Sequence, residues 1–155
     1  ERMRDGIPYA TARADFEGHF AVVALGDFNF ERLTPAARRA YVQVMSEAQR
    51  AYHVPTRNIQ PHRVHANTAC PGRYILEEAD ALAQAVEAYS LQSELRARGC
   101  LQARPDGIWG PLSGRAYQRL RAQAPRDLAK DLPARAGEDA LLSLLAQPGL
   151  RCRSR

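Results

Sequence analysis

The sequence contains no long hydrophobic run and no block of like charge. No stretch approaches the roughly 20 apolar residues that a membrane-spanning helix requires, so no membrane span is predicted. No run of five like charges marks an acidic or basic tail. A secretory signal is not visible either, but the chain begins at Glu1 rather than Met. We therefore expect a processed or clipped chain, and we do not take the missing signal as evidence for the cytosol.

Cysteine and tryptophan are scarce, with three residues and one residue respectively. At 155 residues, 45% of them hydrophobic, the chain has enough apolar material for one ordinary domain or two small ones. The formal net charge is +5, the positive residues are nearly all arginine, and the sequence pI is about 9.5. This excess favours anionic partners, namely nucleic acid, anionic lipid or an acidic cell-wall polymer.

Three elements are indicated in the first half of the chain. Residues 19–25 form a short apolar run between two glycines, which predicts a buried strand. Residues 33–52 predict a helix, because Thr34 suits the N-cap position and Pro35 the first helical position. Residues 75–86 predict a second helix after a Pro-Gly turn.

The composition shifts near residues 88–90, and the remainder is predicted to be a separate module of three helices at residues 90–155. A unit of this size is close to the lower limit for an independent core and should need a covalent staple. Cys100 and Cys152 lie near the two ends of the module, and a bridge between them would stabilise it by roughly 2–4 kcal/mol. Such a bridge implies an oxidising compartment; the alternative is two unpaired thiols.

The third cysteine, Cys70, lies close to His62 and His65 in the segment "IQPHRVHANTACPGRYI" at residues 59–75. Thiolate and neutral imidazole both suit zinc, so a metal site is one interpretation. A cysteine nucleophile with a histidine base is the second. A buried thiol without chemical function is the third, and the spacing alone does not decide among them.

The stretch "PHRVHANTACPG" resembles the GHR-x5-T-x-CPG signature of the zinc amidase and peptidoglycan recognition protein family. The resemblance implies that His62 and Cys70, eight residues apart, are zinc ligands, and that Thr68 assists catalysis at the transition state. It further implies two substrate-binding residues, Arg63 and Asn67.

The same resemblance extends from about residue 9 to residue 85, because "GHFAVVALGDFN" is similar to the family's central strand and the turn after it. It implies an α/β fold, the C-terminal part of a mixed sheet with flanking helices, in a domain at residues 1–87 that lacks its first strands. The family's first zinc histidine has no counterpart in residues 1–18. His65 and His19 are the nearby substitutes, and otherwise we expect the third ligand on an associated N-terminal fragment.

A second resemblance covers residues 91–120. "LQSELRARGC" and "DGIWGPLSGRAYQRL" look like the peptidoglycan-binding module, in which Asp106 and Gly107 would form a tight turn. Trp109 would either stack on a sugar of the substrate or fill the module core, and its large apolar area favours the core.

Both resemblances imply peptidoglycan and its muropeptides as partners, rather than nucleic acid. The predicted protein is a periplasmic or secreted zinc hydrolase that cleaves the N-acetylmuramoyl-L-alanine amide bond. The alternative is a non-catalytic peptidoglycan-binding protein with an incomplete metal site.

Overall fold

The computed structural model describes residues 18–153, and every regular element within that range is helical. Two short 3-10 helices, Thr56–Asn58 and His62–Val64, lie between the first two α-helices. The α-helices are α1 (Pro35–Tyr52), α2 (Arg73–Ala97), α3 (Pro111–Gln123), α4 (Arg126–Asp131) and α5 (Glu138–Leu145). No helix in the described part of the chain is long and apolar enough to cross a membrane.

The expected α/β fold with a mixed sheet is wrong for the described residues, which contain no strand. Residues 19–25 follow an irregular path instead, and Leu25 is 93% exposed and Val23 66% exposed. A strand is stabilised by hydrogen bonds to a neighbouring strand, and residues 18–153 provide no such neighbour. The sequence run is apolar as predicted, but a strand also needs a second strand to pair with, and a local sequence pattern does not reveal whether one is present. Residues 1–17, the start of the predicted first domain, lie outside the described range.

Helix α1 begins where its capping residues predict. The Thr34 hydroxyl oxygen accepts a hydrogen bond from the Ala37 backbone N–H at 3.1 Å, and Pro35 occupies the first turn. The helix ends at His53, which adopts the left-handed conformation with φ of 53°.

Helix α2 is continuous across the point where the sequence predicts a boundary. Instead of one helix at residues 75–86 and another from Leu91, a single helix runs through Arg73–Ala97. It packs along α1 through Ala85 and Val86, with Val42 of α1 in the same apolar cluster. Ser90, the polar residue in the middle of α2, is fully buried and donates a hydrogen bond from its hydroxyl to the Gln49 side chain of α1 at 2.6 Å. The polar residues near position 90 therefore mark a contact between helices rather than a chain break.

The second apolar cluster forms the core of the C-terminal helices. Tyr117 of α3 lies in it, 1% exposed, and its hydroxyl donates to the Pro133 carbonyl at 2.8 Å. The buried members are Leu91, Leu95, Cys100, Leu101, Ala116, Tyr117, Leu120, Leu132, Ala140, Leu141, Leu144 and Leu150. The predicted disulfide between Cys100 and Cys152 is present, with the two Cα atoms 5.2 Å apart.

A buried arginine joins the end of α2 to the end of α5. Arg98 is 6% exposed and pairs with Glu94 at 2.9 Å. Its guanidinium also donates to the backbone carbonyls of Leu144, in the last turn of α5, and of Gln147, just beyond the helix. Burial lowers the pKa of Arg98, and the neighbouring Glu94 carboxylate opposes that change.

Candidate functional sites at the 59–72 loop and the 106–112 turn

The loop at residues 59–72 is fixed at its C-terminal end against the turn around Phe28. Gly72 has a φ of +92°, and a Cβ atom there would lie 2.7 Å from the Phe28 carbonyl carbon. The Tyr74 N–H donates to the Phe28 carbonyl at 3.0 Å, and the Arg73 N–H donates to the Asn29 side chain at 3.3 Å. Only glycine permits this close approach, so the start of α2 and the residues just before it are held in one place.

Cys70 lies within this fixed turn as an exposed free thiol. Its backbone N–H donates to the Thr68 hydroxyl oxygen at 3.1 Å, and the Gly72 N–H donates to the Ala69 carbonyl at 2.9 Å. Thr68 therefore orders the backbone beside the thiol, as short hydroxyl side chains do in turns. The Thr68 hydroxyl proton is still able to donate to another group.

The other predicted residues lie on the same loop. His62 begins the 3-10 helix His62–Val64, which closes through a hydrogen bond from the His65 N–H to the His62 carbonyl at 2.9 Å. His62, Arg63 and Asn67 are solvent-exposed, as is Cys70. The predicted metal ligands and substrate-binding residues therefore share one exposed surface segment.

The two histidines considered as substitute ligands contact each other. The His19 and His65 rings are 4.9 Å apart between centroids, in an edge-to-face arrangement. This contact joins the 19–25 segment to the 59–72 loop.

The donor types on this loop suit zinc, but their number does not complete a catalytic site. A catalytic zinc ion is held by three protein ligands, with nitrogen and sulfur donors among those it prefers. Within residues 18–153, the structure brings together no group of three or more His, Cys, Asp and Glu side chains that could hold a metal ion. The described residues therefore do not supply a complete catalytic zinc site by themselves, and the ligand roles of His62 and Cys70 stay predictions.

The second region is the turn that follows Leu101. Gly107 has a φ of +76°, and the Asp106 carboxylate accepts a hydrogen bond from the Ile108 N–H at 2.9 Å, as the predicted Asp-Gly turn requires. A Cβ atom on Gly107 would lie 3.1 Å from the Ala85 carbonyl oxygen, so the turn lies directly against α2.

Gln92 of α2 holds this turn, and sequence reasoning missed it. Its side-chain oxygen accepts from the N–H groups of Asp106 and Gly107 at 2.9 and 3.0 Å. Its side-chain nitrogen donates to the Asp106 carboxylate, the Ile108 carbonyl and the Ser113 hydroxyl at 2.8, 2.9 and 3.0 Å. The available signal was a glutamine next to Leu91 on the apolar face of a helix, since a buried amide needs partners.

The preference for Trp109 as a core residue is wrong. Trp109 is 37% exposed, and its neighbours Ile108 and Leu112 are 70% and 60% exposed. The aromatic residue in the buried cluster of the C-terminal helices is Tyr117, and Trp109 is not a member of that cluster. The turn therefore presents an aromatic and two aliphatic side chains to solvent.

No protein-family model, no curated protein and no solved structure matches this chain.

Proposed function

We propose that this protein is a zinc-dependent N-acetylmuramoyl-L-alanine amidase that acts on cell-wall peptidoglycan. The observation that carries the proposal is the loop at residues 59–72, whose spacing resembles the amidase signature and whose Cys70 thiol is exposed in a fixed turn. Exposure matters because a polymeric substrate has to reach the site from solvent.

The residues of the loop would divide the work as follows. His62 and Cys70 would hold zinc, with a third ligand from an associated N-terminal fragment. Zinc held there would lower the pKa of a coordinated water to about 7 and would polarise the amide carbonyl. Thr68 would donate its hydroxyl proton to the developing oxyanion, while Arg63 and Asn67 would orient the muropeptide. Because thiolate and imidazole must be deprotonated to bind metal, zinc affinity should fall in acid.

The C-terminal helices support a location outside the cytoplasm. The Cys100–Cys152 bridge is of the kind that forms and persists in the periplasm or outside the cell. Peptidoglycan lies in the same compartments, so the proposed substrate and the disulfide agree.

A second candidate function is peptidoglycan binding without catalysis, and a specific observation favours it. Trp109 is exposed on a turn that Gln92 holds in place, while residues 18–153 bring together no group of three side chains that could hold a metal ion. Exposed aromatic rings on rigid turns suit contact with a sugar face, because they offer apolar area at low entropic cost.

The deciding experiment measures zinc content, cleavage and wall binding on the same preparation. Protein purified from its source with any associated fragment retained is analysed for zinc, incubated with soluble muropeptide, and sedimented with insoluble peptidoglycan. Cys70→Ser should remove zinc and cleavage and leave sedimentation intact. His53→Asn is the matched control, because His53 is an exposed histidine outside the loop and asparagine accepts its left-handed backbone.

The outcomes separate the candidates. About one zinc per chain with loss in Cys70→Ser supports the amidase. Sedimentation with peptidoglycan but no zinc and no cleavage supports binding alone. Stoichiometric zinc retained in Cys70→Ser removes Cys70 from the site, and a chain that neither cleaves nor sediments overturns both candidates.

A further inference from the structure

The exposed face of α3 carries a groove that lies outside the 59–72 loop. The groove, here called the α3 groove, is shallow and open to solvent. It is lined by Pro111, Gly114, Arg115, Gln118 and Arg119. These positions recur at intervals of three and four residues, so they occupy one side of the helix, while Ala116, Tyr117 and Leu120 face the core.

The charged residues of α3 are all positive. Helix α3 contains three arginines and no acidic residue in the stretch "PLSGRAYQRLRAQ". Arg115 and Arg119 both line the groove, four residues apart. Like charges at this spacing repel each other, so the arrangement is unfavourable until an anion lies between them.

The two arginines have different partners within residues 18–153. Arg119 donates to the Cys100 carbonyl with one guanidinium nitrogen, which fixes its position. Arg115 is exposed, and the described residues give it no hydrogen-bond or ion-pair partner. A guanidinium offers five N–H donors, so Arg119 keeps donors for a ligand and Arg115 keeps its full set.

Gly114 leaves the groove open without a structural reason in the chain itself. A Cβ atom at position 114 would meet no atom within 4 Å, and the residue is in the middle of a helix turn with ordinary backbone angles. Glycine inside a helix lowers stability relative to alanine. The fold would therefore accept a larger residue at position 114. A side chain there would project into the α3 groove.

An apolar cluster lies at the N-terminal end of the same helix. Trp109 and Leu112 flank Pro111 in sequence and are both exposed. Their turn is held by the buried Gln92, so the cluster and the groove have a fixed relation to each other.

We infer that the α3 groove binds a stem-peptide carboxylate of peptidoglycan, with Arg115 and Arg119 as the carboxylate ligands and Trp109 in contact with the adjoining sugar. Guanidinium and carboxylate form paired, charge-assisted hydrogen bonds, and the all-cationic face complements an anionic ligand. The inference rests on the proposed action on peptidoglycan and adds where that polymer binds and which of its groups is recognised.

The test compares variants for binding to insoluble peptidoglycan from which phosphate-bearing polymers have been stripped, and to a soluble peptide-bearing muropeptide by calorimetry. Arg115→Glu should weaken binding by about tenfold or more, since a hydrogen bond to a charged group is lost and a repulsion is added. Gly114→Gln should weaken binding by obstructing the groove while leaving the melting temperature unchanged or higher. Arg126→Glu is the control, because it makes the same charge change on an exposed arginine of α4 outside the groove.

Each outcome decides a different point. Loss of binding in Arg115→Glu and Gly114→Gln but not in Arg126→Glu supports the inference. Equal binding by the wild type and Arg115→Glu overturns the inference and leaves the proposed function standing. Equal weakening by Arg115→Glu and Arg126→Glu overturns it too, because only net charge would matter. Binding lost on stripping would assign the groove to a phosphate polymer, and a wild type that never binds peptidoglycan overturns the proposed function itself.

Discussion

Replacing Gln92 by leucine should destabilise the C-terminal helices and loosen the turn that carries Trp109. The two residues are similar in size, so the substitution removes hydrogen bonds without a large cavity. An amide nitrogen has two hydrogens, so its three acceptors share them, and the Gln92 side chain makes about four full hydrogen bonds in total.

The expected cost follows from where its partners lie. Each net hydrogen bond contributes about 0.5–1.5 kcal/mol, and a buried group left without a partner costs about 1–3 kcal/mol. Ser113 is 4% exposed and would lose a partner, whereas Asp106 is exposed and can bond to water instead. We expect a loss of about 3 kcal/mol, which for a chain of this size lowers the melting temperature by roughly 6–12 °C.

Two assays check this expectation. Thermal unfolding gives the stability change, and acrylamide quenching of Trp109 reports the turn directly, because it is the chain's single tryptophan. Gln102→Leu is the matched control, since Gln102 is exposed and has no hydrogen-bond partner among the described residues. If the two variants unfold at the same temperature and quench alike, Gln92 does not hold the turn and the reasoning fails.

Three further predictions concern other parts of the fold. Reducing the Cys100–Cys152 bridge, whose cysteines are 52 residues apart, should lower the free energy of unfolding by up to about 4 kcal/mol in the chain-entropy description, as urea unfolding with and without reductant would measure. Gly72→Ala should cost about 2–4 kcal/mol, because the new Cβ meets the Phe28 carbonyl and the backbone is left-handed; calorimetry measures this. Burial raises the pKa of Tyr117 above the ordinary 10.0. The neutral Tyr117 hydroxyl therefore contributes to the free energy of unfolding below about pH 10, and this contribution is lost as the pH rises through the folded pKa. Tyr117→Phe should therefore flatten the fall of stability above pH 10 in pH-dependent unfolding.

Each of these predictions has a control and a contrary result. Cys70→Ser should leave the effect of the reductant unchanged, and a wild type insensitive to reductant would contradict the bridge's role. Gly149→Ala should be nearly neutral, since a Cβ there meets no atom within 4 Å, and an equal loss in both glycine variants would discount the contact with Phe28. Tyr52→Phe changes an exposed tyrosine and should keep the full alkaline fall of stability, whereas an undiminished fall in Tyr117→Phe would contradict the prediction.

The features that the sequence predicts correctly depend on residues close together in the chain. Thr34 and Pro35 mark the start of α1 because capping involves only the first turn of a helix. The Asp106-Gly107 turn is predictable for the same reason, since the carboxylate bonds to the backbone two residues on.

The features that it misses depend on contacts between distant residues. The strand predicted at residues 19–25 needs a partner strand that no local pattern can supply. Ser90 suggests a boundary by its polarity, and only its bond to Gln49, 41 residues away, shows why it lies inside a helix. Trp109 has the large apolar side chain of a core residue, but the buried cluster consists of Tyr117, leucines and smaller residues, and Trp109 lies outside it.

The roles assigned to the residues of the 59–72 loop stay predictions, and only their common place on one loop follows from the sequence. His62, Thr68 and Cys70 lie on one loop because they are neighbours in sequence. Gln92, which positions the second region, is 14 residues from Asp106 and gave no comparable signal.

The unbroken helix α2 fixes the distance between the 59–72 loop and the turn that carries Trp109. The 59–72 loop ends where α2 begins at Arg73, and Gln92 holds the Trp109 turn 19 residues further on, a rise of about 28 Å along the helix axis. With a flexible tether, the separation of two binding surfaces varies and their cooperation declines gradually with linker length. With a helix, the separation of the two surfaces is fixed. A ligand shorter than this spacing can contact one surface at a time, whereas a ligand long enough to reach both gains the binding free energy of the second contact. Under the proposed action on peptidoglycan, affinity should then rise in a step, not smoothly, as soluble fragments of that polymer are lengthened.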